Sequence, residues 1–125
     1  LSRHYDGQGR LVKEYFLKND TIKDGDYREF NDNGTVAYKG TFKNNSLVGF
    51  QYFFDENGDT IKYYHTYENH LDFPYKKWFS DGRVMFGDYT DEKENSVTWK
   101  WYNKNGKEIK KQVVYSTKTG FPIPE

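Results

Sequence analysis

Glycines that close a turn-like tetrapeptide fall at Gly9, Gly34, Gly58, Gly82 and Gly106, at intervals of 25, 24, 24 and 24 residues. The tetrapeptides are Asp6-Gly7-Gln8-Gly9, Asn31-Asp32-Asn33-Gly34, Asp55-Glu56-Asn57-Gly58, Phe79-Ser80-Asp81-Gly82 and Asn103-Lys104-Asn105-Gly106. An aromatic residue stands four positions before each glycine: Tyr5, Phe30, Phe54, Trp78 and Tyr102. A fixed interval of this kind marks a chain built from one supersecondary unit used repeatedly. An Asn or Asp side chain caps a type I turn, and a final Gly supplies the positive φ of a G1 bulge, so each tetrapeptide predicts a tight β-hairpin. Pairing across these turns sets Tyr5 against Leu11, Phe30 against Val36 and Trp78 against Val84.

The best-kept unit runs from Gly25 to Val48. In it a short aromatic run ends at Phe30, a second run Val36–Phe42 follows the turn, and Asn44-Asn45-Ser46 turns the chain back. The pairs Leu11–Leu17, Val36–Phe42, Ile61–Tyr67 and Ile109–Tyr115 are each six residues apart. An even step places each pair on one sheet face. Val84–Tyr89 is five apart, which predicts a bulge or a flipped face there. The aliphatic comes one residue late after Gly58 and Gly106, which places bulges near Asp59 and Lys107. The expected fold is all-β: a single-layer antiparallel meander of about five hairpins with a 24-residue period. It forms a single repeat domain, with units at about 1–24, 25–48, 49–72, 73–96 and 97–115 and a tail at 116–125.

Later copies depart from the pattern. Phe73-Pro74 and Val97-Thr98 replace the opening glycines, and Pro74, which cannot donate to a ladder, belongs at a strand start or edge. The segment Thr90–Ser96 reads as a charged loop or hairpin end, and the run after Tyr115 as an extended tail or a cap over the last edge.

Composition narrows the function. Only 34% of residues are hydrophobic but 20% are aromatic, so large rings with polar tips must supply the core that aliphatics do not. Lys plus Arg equal Asp plus Glu at 19 each, which removes the basic footprint of a nucleic-acid binder. No stretch is apolar enough for a membrane span. The absence of Cys excludes disulfides, thiolate catalysis and Cys-ligated zinc. The chain opens at Leu1 without Met, so removal of an N-terminal segment with any targeting signal is expected; cytoplasm and cell envelope both stay open.

Catalytic and metal chemistry find no frame. His65 and His70 are five apart and point to opposite faces of any one strand, and Asn69-His70 suits a turn better. Asp55–Asp59 lacks the spacing of a calcium loop, and the same residue types recur at every turn. Ser2, Ser46, Ser80, Ser96 and Ser116 lie in turns, ends or tail without a nucleophile elbow. No enzyme, no cofactor and no metal are expected.

The aromatics carry the functional expectation. Phe53-Phe54, Tyr63-Tyr64, Trp78-Phe79 and Trp99-Lys100-Trp101-Tyr102 place adjacent rings on opposite faces, and a single layer has too few aliphatics to hide both. Either aromatics form ladders on both faces with Lys and Arg stems covering them, which is the favoured reading, or the second face is a binding surface, with Phe53, Tyr64, Trp78, Trp99 and Trp101 as the candidate partner residues. All three Trp lie at 78 or beyond, which makes the C-terminal half the recognition end.

The residues Gly25, Tyr27, Phe30, Gly34, Val36, Gly40, Phe42 and Gly49, then Phe54, Gly58, Ile61 and Tyr67, resemble the MORN repeat. They look most like the bacterial MORN-variant repeat of YwqK-type antitoxin-like proteins. The resemblance covers nearly all of the chain and departs at Phe73, Val97 and the tail, where regular packing is expected to weaken. It implies a hairpin meander and a protein-binding or antitoxin-like role, without catalytic residues. The partner is then another protein, with homodimerisation through edge strands open. The alternative is a carbohydrate or cell-wall module, because Gln51–Gly58 is similar to the aromatic hairpins of choline- and glucan-binding repeats. Against that stand their shorter repeat and the lack of Trp in the first three units.

Overall fold

The computed structural model describes residues 1–90, 93, 95–117 and 120–124. Its strands are β1 (Ser2–Tyr5), β2 (Leu11–Lys18), β3 (Ile22–Phe30), β4 (Val36–Lys43), β5 (Ser46–Phe54), β6 (Thr60–Tyr67), β7 (His70–Trp78), β8 (Val84–Tyr89), β9 (Ser96–Tyr102) and β10 (Glu108–Tyr115). They form one open antiparallel sheet in chain order, with no helix among the described residues. Strands β4, β6, β8 and β10 begin 24 residues apart. The chain divides into two compact units, Leu1–Asp72 and Phe73–Glu125, at the residue where an opening glycine first becomes Phe.

The glycine turns are built as their chemistry predicts. In each, the glycine N–H donates to the carbonyl three residues back, and its φ lies between 81° and 89°. The Asp55 carboxylate accepts from the N–H groups of Asn57 and Asp59 at 2.9 and 3.0 Å; Asp6 and Asn103 do the same in their own turns. The intended pairs form: Tyr5 with Leu11, Phe30 with Val36, Trp78 with Val84.

Three of the other turns use Asn rather than Gly. Asn19-Asp20, Asn44-Asn45 and Glu68-Asn69 all have positive φ at both residues, the signature of a type I′ turn. Two of them also fasten one hairpin to the one before. The Asn45 side chain accepts from Lys23 N–H at 2.7 Å while its own N–H donates to the Lys23 carbonyl at 2.9 Å. Asn69 treats Leu47 alike, at 2.7 and 3.2 Å.

Bulges occur near both expected places and at two more. Register skips one residue at Val12, Ala37, Ile61 and Ile109, so irregularities follow four of the glycine turns and lie two residues beyond Asp59 and Lys107. The β7–β8 hairpin has none. The bulge at Ala37 overturns the even-step argument for Val36 and Phe42. Val36 pairs with Phe30 and lies beside Arg28 and Lys39, whereas Phe42 packs on Tyr27 across the opposite face. Val84 and Tyr89, five apart without a bulge, also sit on opposite faces. One extra residue is thus absorbed where it occurs, and both hairpins aim their side chains the same way.

Gly25 and Gly49, with φ of 113° and 70°, sit in wider irregularities where β3 and β5 carry two extra residues against β2 and β4. Val97 replaces the glycine at the corresponding place in β9, and β8–β9 pairs without interruption from Val84 to Tyr89. The β7–β8 and β8–β9 pairings are therefore uninterrupted, contrary to expectation, while β9–β10 keeps its bulge at Ile109; β-branched Val has no access to the left-handed backbone that the wider irregularity requires.

Pro74 stands inside β7 rather than at its start, after a cis Phe73–Pro74 peptide. Its ring costs β8 no ladder bond, because the β7–β8 pairing begins at Tyr75. The tail also differs. Thr117 and Gly120 exchange backbone hydrogen bonds, and Phe121 packs on Phe73 and Tyr89 at 5.6 and 5.9 Å. It covers a sheet face, not the β10 edge, because the face offers rings to bury. Of the charged segment, residues 91, 92 and 94 lie outside the described residues, and Thr90 N–H closes onto the Ser96 carbonyl.

Candidate functional site

In residues 1–72 one face carries a ladder with one ring from each successive strand: His4, Tyr15, Tyr27, Tyr38, Phe53 and Tyr64. Neighbouring centroids are 4.9–5.8 Å apart: Tyr15–Tyr27 and Tyr38–Phe53 are directly opposed, whereas His4–Tyr15, Tyr27–Tyr38 and Phe53–Tyr64 are diagonal neighbours within reach of large rings. Lysine ammonium groups close the ladder. Lys23 Nζ stands 5.0, 5.7 and 5.2 Å from the ring centres of Tyr15, Tyr27 and Phe42, and Lys62 Nζ 4.5 Å from that of Phe53. Phe53 and Tyr64, expected as partner residues, are half-buried members of this ladder.

A buried polar chain runs beneath it. Gln51 is fully buried: Tyr38 Oη donates to its carbonyl, and its amide donates to Thr66 Oγ1 at 3.0 Å and the Val48 carbonyl at 3.3 Å. Thr66 Oγ1 then donates to the Gly49 carbonyl at 2.9 Å. A Cβ on Gly40 would lie 1.9 Å from Gln51 Oε1, so the absent side chain is what admits the amide. Burial pushes the Tyr38 hydroxyl up to about 12, helped by the nearby Tyr64 and Glu29. Burial also raises Tyr27, whose hydroxyl donates to Glu29 at 2.8 Å. Gln51 went unnoticed in the sequence, although it stands 24 residues after Tyr27 and 24 before Tyr75, and all three are buried.

The opposite face of this unit has two zones. Arg3, Glu14 and Arg28 form an ion-pair row at 3.3 and 3.5 Å. Beyond it Phe50, Tyr52, Phe54, Tyr63 and His65 form a ring cluster, with Phe50 at 40% exposure and His65 3.1 Å from Asp72. Phe50 and Tyr52 were not singled out from the sequence. Parity with Phe54 on the same strand was the available signal.

In residues 73–125 the two faces are unlike. One holds the core: Phe73, Tyr75, Met85, Val97, Trp99 and Trp101 are all buried, Trp99 at 0% exposure and Trp101 at 7%. Trp99 meets Phe73 and Tyr75 edge-on at 5.6 and 5.3 Å and lies flush against Gly87. The expected role of Trp99 and Trp101 as partner-binding rings is thereby corrected: Gly87 opens the space that buries the first, and Lys110 covers the second at 4.6 Å.

The other face is the open one. Register places Lys76, Phe86 and Lys100 in one row and Trp78, Val84 and Tyr102 in the next. Two adjoining hollows of about 360 and 400 Å³ share Phe86 and Tyr102 as walls. Lys76 and Lys104 stand at the first, Lys100 and Lys111 at the second. Trp78 alone of the expected tryptophans lies on this face, half-buried, with Lys76 Nζ 4.6 Å over its ring.

No group of His, Asp and Glu among the described residues could hold a metal ion. No helix among them is long and apolar enough to cross a membrane. Neither family models nor curated proteins match this chain.

Proposed function

We propose that this chain is a non-enzymatic β-hairpin scaffold that binds another protein. The observation that carries the proposal is the division of labour in residues 73–125, where one face buries Trp99 and Trp101 and the other lines two hollows with Phe86 and Tyr102, with Trp78 in the same register row as Tyr102. Partly exposed aromatic rings are what protein interfaces favour. The resemblance to antitoxin-like MORN-variant repeats agrees with a protein partner and adds an antitoxin-like role.

The carbohydrate alternative draws on the ring ladder of residues 1–72. A sugar platform needs exposed ring faces, yet these rings lean on one another, with interplanar angles of 21° and 14° in the first two pairs. The cage of Tyr15, Tyr27 and Phe42 that suits a choline group already holds Lys23.

Photo-crosslinking tests the proposal. With p-benzoylphenylalanine at Phe86, a discrete protein adduct is expected in cells, and none with the same group at exposed Lys43. No adduct at Phe86, with saturable binding of choline or glucan instead, would overturn it.

A further inference from the structure

We propose that the open face of residues 73–125 takes an acidic peptide segment, with apolar side chains in the two hollows and carboxylates on the lysine rim; this rests on the protein-binding reading above. The charge argument is local. Residues 73–125 contain ten Lys and Arg against seven Asp and Glu, whereas residues 1–72 contain nine against twelve. The zero net charge of the chain conceals this division.

On the face itself, Lys76, Lys100, Lys104 and Lys111 surround the hollows. Lys100 is partly engaged by Glu108 at 3.7 Å, but Lys104 and Lys111 have no carboxylate partner among the described residues. Phe86 and Tyr102 between them give the floor that a purely ionic patch lacks. A lysine rim around an aromatic floor recognises a segment that alternates carboxylates with large apolar side chains.

Nucleic acid shares the aromatic and cationic requirement but fits less well. Asp88 lines the second hollow and Glu108 sits beside Lys100, so fixed negative charge interrupts the path of a uniform phosphate backbone. A peptide can place a neutral or donating side chain at those points.

The test uses the full chain and a fluorescein-labelled heptapeptide in which four glutamates alternate with three phenylalanines, read by anisotropy. Saturable binding that weakens with salt is expected, with no binding of the matching lysine peptide. Lys104→Gln with Lys111→Gln should weaken it roughly three- to tenfold, as two exposed ion pairs allow, while Lys43→Gln leaves it unchanged. Both substitutions are at exposed sites, and unchanged tryptophan emission checks the fold.

Equal binding of both peptides, indifference to the double lysine change, or tighter binding of an oligo-thymidylate would overturn the inference. So would a dimer in sedimentation that the same lysine changes dissociate, because the occupant would then be a second copy. A protein adduct at Phe86 without peptide binding would refute the acidic segment and leave the scaffold standing; loss of both would refute both.

Discussion

Replacing Gly87 by Ala probes the packing on which the open face depends. Gly87 is buried and has no positive φ, so its backbone accepts Ala without strain. By backbone entropy alone the change would stabilise the fold by about 0.4–1 kcal/mol. The new Cβ, however, would stand 2.7 Å from Trp99 Cε3 and Cζ3 and 2.8 Å from Cδ2. A fully buried indole held edge-on by Phe73 and Tyr75 is a poor candidate for moving aside. Overpacking of this kind costs about 1–3 kcal/mol. The expected net loss is therefore about 1–2 kcal/mol.

Urea denaturation followed by tryptophan emission reads it, since all three Trp lie in residues 73–125. The clashing atoms belong to the six-membered ring of the indole, so Trp99→Phe should relieve the clash. Trp99 Nε1 has no hydrogen-bond partner among the described residues, so that change breaks no such bond. In a double-mutant cycle the pair should lose at least about 1 kcal/mol less than the two single changes added. A neutral or stabilising Gly87→Ala, or strict additivity with Trp99→Phe, would refute the packing argument.

Two further outcomes follow from residues 1–72. Asn45→Gly keeps access to the φ of 70° and loses only the side-chain bond to Lys23 N–H, at a cost of about 1 kcal/mol, whereas Asn45→Ala adds a left-handed penalty of similar size. Urea melts read by far-UV circular dichroism should rank Gly above Ala, and equal losses would sink the division into staple and backbone terms. High pH should destabilise this unit through Tyr27 and Tyr38, both raised by burial, Tyr38 to about 12 against the ordinary 10. The neutral hydroxyls keep their full contribution below about pH 10, and stability falls from there toward pH 12 as only the unfolded chain releases the protons. Tyr38→Phe should flatten part of that decline, and an unchanged slope would remove Tyr38 as a cause.

How much of this was legible in the sequence depended on whether a feature was local. Turn glycines, their Asx caps and the pairs across them need only adjacent residues, and Tyr5–Leu11, Phe30–Val36 and Trp78–Val84 could be named in advance. Side-chain direction failed where a single inserted residue intervened, because the bulge at Ala37 reverses the parity that spacing assumes. The candidate site divided in the same way. The sequence puts Trp78, Trp99 and Trp101 on one partner surface, yet Trp99 and Trp101 are buried, with Gly87 and Met85 opposite them. A glycine facing a tryptophan was the missed signal. Gly40 beside Gln51 is its polar counterpart, and an amide at a core position reads as surface until its partners are known.

The strict neighbour-to-neighbour order of strands has a genetic consequence. Each strand bonds only to those just before and after it in the chain, so no hairpin waits on a distant partner. The segment from Gly34 to Gly58 begins and ends at equivalent turns. An in-frame duplication or excision between two such points joins like to like. Recombination between such turns can therefore add or remove one hairpin at a time.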